Sequence, residues 1–84
     1  MKEITKLEDT IDMMLSEDHY DRLIAEYYQL RIRYKKLEKM LNEFDNGVLD
    51  FTPTTPIHIL KEQLNIMHDY LLILNNRLHI ESWK

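Results

Sequence analysis

The sequence predicts an all-α protein: an antiparallel helical hairpin of two long helices with a short N-terminal helix, assembling into a homo-oligomer. Three observations carry that expectation. One glycine and two prolines among 84 residues cannot supply the turns of a many-stranded sheet, whereas the Leu, Ile, Met, Glu and Lys content suits long helices. Two stretches place apolar residues at unbroken alternating steps of three and four, the signature of a heptad seam. The second stretch also carries more apolar surface than a single partner helix can cover. The length allows one domain at most.

The elements follow in chain order. Ile4, Leu7, Ile11 and Met14 mark a short amphipathic helix over residues 1–15, interrupted by the acidic cap signal Ser16-Glu17-Asp18. The first seam runs through Tyr20, Leu23, Tyr27, Leu30, Tyr34, Leu37, Leu41 and Phe44. Ser16 is placed to cap its start, Glu17 and Asp18 suit the helix dipole in the first turn, and Asn46-Gly47 supplies a left-handed stop. A helix over 17–45 follows. The connection, 46–54, is expected to be ordered, with Val48, Leu49 and Phe51 tucked onto the end of the hairpin; its length suits an antiparallel pair. Thr55-Pro56 then reads as an N-cap followed by proline at the first helical position. From there Ile57, Leu60, Leu64, Met67, Leu71, Leu74 and Leu78 carry a second seam over 55–82.

Beyond that seam Ile59, Ile66, Tyr70, Ile73 and Ile80 trace a second stripe. A helix over 17–45 is about 43 Å long, whereas a compact globule of this chain length has a radius of gyration near 12 Å. A thin hairpin with surplus apolar surface and no covalent staple gains stability by association, so a homo-oligomer is expected. The competing arrangement is a monomeric three-helix bundle in which the N-terminal helix folds back over the spare stripe.

Charge and chemistry exclude several classes. The net charge of -4 is unevenly spread: Met1–Asp21 holds seven acids against two lysines, Arg22–Met40 holds six bases against two acids, and Leu41–Lys84 holds six acids against three bases. An acidic chain with one short basic block suits a small anionic ligand better than DNA or RNA, which reward a wide positive surface. In that block Arg31, Arg33, Lys35, Lys36 and Lys39 draw phosphate or carboxylate, or pair with neighbouring acids as a solvated face. No cysteine is present, so there is no disulfide, thiolate site or cysteine nucleophile, and a reducing, cytoplasmic setting is expected. Met1-Lys2-Glu3 shows no signal-peptide pattern and Leu71-Leu72-Ile73-Leu74 is too short to cross a bilayer, so no membrane association is expected. His19, His58, His68 and His79 avoid the i, i+4 spacing that grips a metal. No catalytic residue, metal or cofactor is predicted. Among the five tyrosines, Tyr20 opens the long helix beside the chain bend and Tyr28 lies off the seam. Both can stack on a planar ligand, while Tyr27, Tyr34 and Tyr70 read as core.

Residues 21–41, DRLIAEYYQLRIRYKKLEKML, followed by LDFTPTTPIHILKEQ and MHDYLLILNNRLHIE, resemble a family of small helical proteins encoded by tailed bacteriophages. Some members of this group are similar to anti-CBASS sponges, helical hairpins that assemble, usually as hexamers, and sequester cyclic di- and trinucleotide signals without cleaving them. Related sponges act on NAD-derived Thoeris signals of the cyclic ADP-ribose type. The resemblance implies that Tyr20 stacks on a base and Lys35 holds phosphate, with Arg31 or Lys36 assisting. It also makes Arg77 a candidate for a second anion pocket, against the alternative of an i, i+4 ion pair with Glu81. Fifteen residues of helix separate Tyr20 and Lys35 by about 22 Å, so the two serve one compact ligand only from different subunits. The expected function is that of a phage anti-defence sponge in the host bacterial cytoplasm. The alternative is a helical protein–protein interaction module that inhibits a host factor or builds a phage structure.

Overall fold

The computed structural model describes residues 3–82. Residues 1 and 2, the start of the expected N-terminal helix, lie outside the described residues, as do 83 and 84. Every regular element described is helical: a 3-10 turn, Leu7–Thr10, running into α1, Ile11–Met14, then α2, His19–Asp45, and α3, Ile57–Glu81. The two long helices pack against each other and form the hairpin. The molecule measures 46 × 23 × 19 Å with a radius of gyration of 15.2 Å, well above the globular expectation.

The seams fold as their spacing dictates. Leu23, Leu41, Met67 and Leu74 are buried along the hairpin axis, and Leu30, Leu37, Leu64 and Leu71 are half-buried between them. Each fully buried leucine contributes about 1.5–3 kcal/mol. Phe44, last on the first seam, is exposed. Polar contacts pin both ends. At the connection Lys61 Nζ lies 2.9 Å from Asp45 Oδ1, and at the open end His19 Nε2 lies 2.8 Å from Glu81 Oε1. Midway, the Tyr70 hydroxyl donates to Glu26 and the rings of Tyr34 and His68 meet at 6.2 Å.

Both long-helix starts differ from the sequence expectation. α2 begins at His19, two residues later than expected, because Asp18 rather than Ser16 is its cap: with extended backbone, Asp18 accepts the Tyr20 amide at 3.1 Å. The Ser16 hydroxyl is spent on the bend, accepting the Asp18 amide and donating to Asp21 at 2.8 Å. Glu17 therefore stays outside the helix, and Asp21 is the acid of the first turn. α3 begins at Ile57, with Pro56 at the cap rather than at the first helical position. Pro56 is extended, ψ 141°, and its carbonyl accepts the amides of Ile59 and Leu60; the start of α3 has no side-chain capping bond. The stop of α2 is as expected, with Gly47 at φ 70° after Asn46. The connection is less tucked than expected. Leu49 is half-buried, but Val48 and Phe51 are 66% and 54% exposed.

The N-terminal segment is shorter in helix than its apolar spacing suggests, because Asp9 accepts the amides of Thr5 and Lys6 at 3.1 Å and sets the start at Lys6. Among the described residues its two helical turns, Leu7–Thr10 and Ile11–Met14, pack on α2 and not on α3. Thr10 is wholly buried. Its hydroxyl donates to the Leu7 carbonyl at 2.7 Å and accepts from the Gln29 amide at 2.9 Å, so the buried hydroxyl is satisfied in both roles. Ala25, one turn before Gln29, is 1% exposed, its small side chain allowing close approach. The arrangement in which this segment covers the spare α3 stripe is therefore excluded. Ile59, Ile66, Tyr70, Ile73 and Ile80 all remain exposed.

Candidate functional site

The N-terminal segment, the first half of α2 and the last turns of α3 enclose a groove of about 820 Å³, within the range of small-molecule sites. One face of α2 forms its floor: Tyr20, Ile24, Tyr27, Tyr28 and Arg31 line it, recurring at helical steps that bring them to one side. Asn75 and Leu78 of α3 make a second wall. The third wall comes from the N-terminal segment, with Ile4 and Met13 as apolar contacts and Glu3, Asp9 and Asp12 as acids.

Aromatic surface dominates the floor. The rings of Tyr27 and Tyr28 stand edge to face, 5.2 Å apart at 85°, an orientation that fixes both planes. Tyr20 is half-buried and also borders a smaller groove of about 430 Å³ towards Asn76, His79 and Ser82, so its ring stands on the ridge between two concavities. Its place follows from the capping geometry, since Asp18 holds the Tyr20 amide at the first turn of α2. Arg31 is exposed and has no ion pair among the described residues. The arrangement offers flat π surface, one free guanidinium and the Asn75 amide, a set suited to a planar heterocycle carrying an anionic group.

The structure brings together only some of the residues singled out from sequence. Tyr20 and Arg31 line the same groove, and Tyr28, read as a second stacking ring, joins them. Lys35 and Lys36 do not line it. Both are exposed further along α2, with Lys35 loosely set against Glu38 at 3.9 Å. Arg77 is engaged in the ion pair weighed against its anion role, at 3.5 Å from Glu81. That carboxylate also receives His19, making a small charged cluster at the open end. Tyr34, beyond the groove, has its hydroxyl pushed above the ordinary phenol value by burial and then by the charge and hydrogen bond of Glu38.

Sequence reasoning missed Ile24, Asn75 and the whole N-terminal wall, and it placed Tyr27 in the core. Tyr20, Ile24, Tyr27 and Arg31 are spaced by four, three and four, so this face was available to the eye in the same way as the seam. The N-terminal wall had no such signal, since it depends on the docking of the segment through Thr10 and Gln29.

The chain matches the family model described as Sequestin over residues 17–80, a stretch that holds all of α2 and nearly all of α3. No curated protein matches the chain significantly, and neither does any solved structure.

Proposed function

The chain belongs to the Sequestin family, and from that membership, whose name carries the sense of sequestration, together with the groove, we propose that it captures a nucleotide signal and holds it unaltered. The ligand is a cyclic di- or trinucleotide or a cyclic ADP-ribose-type molecule, and the setting is the cytoplasm of a bacterium infected by a phage that encodes the protein. The single observation that carries the reading is the tyrosine floor ending in an unpaired Arg31, all within one groove and all inside the matched stretch. Tyr20 stacks on a base and Arg31 meets phosphate. A sequestering protein works by affinity and copy number rather than by turnover.

Lys35 and Lys36 enter this reading through a second copy. On one uninterrupted α2, Tyr20 and Lys35 are separated by about 22 Å of helix rise, so the phosphate role of Lys35 requires it to reach the Tyr20 groove of a neighbouring subunit. The exposed isoleucine row of α3 supplies the surface for such assembly. Its residues Ile59, Ile66, Ile73 and Ile80 recur every seven positions and lie roughly 130° around the helix from the hairpin seam at 100° per residue. The same row supports a second reading, docking of an amphipathic helix from a different protein.

Calorimetry with a cyclic dinucleotide, a cyclic trinucleotide and cyclic ADP-ribose isomers, followed by chromatography of the recovered ligand, separates these readings. Heat with at least one probe and its recovery intact support sequestration. Heat followed by a converted product indicates an enzyme, and no heat with any probe favours the interaction module. Tyr20→Ala removes one stacking platform, worth about 1–3 kcal/mol, and weakens the bound probe accordingly. Lys35→Glu weakens it only if copies share the site, and light scattering shows the assembly mass unchanged in both variants.

A further inference from the structure

The groove's third wall comes from outside the stretch matched to the family. Glu3, Ile4, Asp9, Asp12 and Met13 line that side, and all precede residue 17, where the match begins. The wall is nevertheless fastened to α2: the Gln29 amide donates to the buried Thr10 hydroxyl at 2.9 Å and lies 3.3 Å from the Met14 sulfur. Asp9 is tied to the backbone of Thr5 and Lys6. Asp12, by contrast, is exposed and has no hydrogen bond or ion pair among the described residues, and it lines the groove.

Arg31 on the α2 floor and Asp12 on the N-terminal wall therefore give the groove opposite charges on two sides. A ligand carrying phosphate is drawn to the first and repelled by the second, while hydroxyl and amino donors are accepted by the carboxylate. We infer that the N-terminal segment sets the orientation and charge selectivity of the groove. The nucleoside part of the ligand lies along the Asp12 wall, its phosphates point to Arg31, and the acidic wall weakens binding in proportion to phosphate placed near it. This inference rests on the nucleotide reading of the same groove and adds to it the element that discriminates among nucleotides.

The test uses the full chain and Asp12→Asn, Asp12→Lys and Arg31→Gln, titrated with cyclic diadenylate, cyclic triadenylate and cyclic ADP-ribose. Asp12 is exposed, so thermal unfolding of its variants matches the parent. For a probe that the parent binds, Asp12→Asn tightens binding about threefold and Asp12→Lys about tenfold, with the larger gain for the probe with more phosphates, as expected for a charge at the edge of a solvated groove. Arg31→Gln loosens the same probe. If the parent binds and both Asp12 variants stay within about twofold of it, the wall does not select, and the inference falls while sequestration stands. If the parent binds none of the three probes, the nucleotide reading falls and takes the inference with it.

Discussion

The two apolar stripes of α3 are made of similar residues and have opposite fates. Along one, Leu60, Leu64, Met67, Leu71, Leu74 and Leu78 are buried or half-buried against α2. Along the other, Ile59, Ile66, Ile73 and Ile80 are between 45% and 61% exposed. Both repeat with helical regularity and run nearly the length of the helix. What separates them is the availability of a partner: α2 has one matching seam, and the N-terminal segment, the remaining candidate for a cover, is committed to α2 by Thr10 and Gln29. Apolar periodicity thus announces a face that can be buried, whereas the supply of other elements decides whether it is.

The comparison breaks most sharply at Leu74, the most deeply buried residue of the seam at 1% exposed. Leu74→Ala opens a cavity in a small core and lowers unfolding free energy by about 2–5 kcal/mol, read from urea denaturation at fixed protein concentration. On the other stripe, Ile73→Glu is expected to leave the helicity of a single chain intact, because Ile73 is already 60% exposed. If copies meet through this row, the burial of an unpaired carboxylate costs several kcal/mol and the mass from light scattering falls to that of one chain. An unchanged mass removes the row as the contact between copies. The smallest effect belongs to the polar ties at the ends: Lys61→Ala releases Asp45, and as an exposed pair this changes stability by less than about 1 kcal/mol.

Much of the fold was legible because it follows from short-range rules. The seams fixed the hairpin, and Asn46-Gly47 ended α2 where left-handed backbone is needed. The helix starts were less legible, because Ser16 and Asp18 are both good caps two residues apart, and the choice between them turned on Asp21 capturing the Ser16 hydroxyl. Val48 and Phe51 read as tucked residues since they are large and apolar, yet the space over the hairpin end lacks an element to receive them. Of the site, Tyr20, Tyr28 and Arg31 were visible as an aromatic and cationic set on one helix. The acidic wall opposite them was not, as nothing local in residues 3–15 tells which face of a neighbouring helix they will meet.

Gly47 turns the chain in open space, with no atom near the position a side chain would take. It does so at the end of α2 remote from Tyr20, about 40 Å along the helix at 1.5 Å per residue. A peptide tag spliced into 48–54 would lengthen a loop whose closure entropy grows only slowly with size, about 24 Å of helix rise beyond Arg31, the residue of the groove floor nearest that end. The protein can thus be tethered to a sensor surface by its blunt tip, leaving the tyrosine-lined mouth facing the solution.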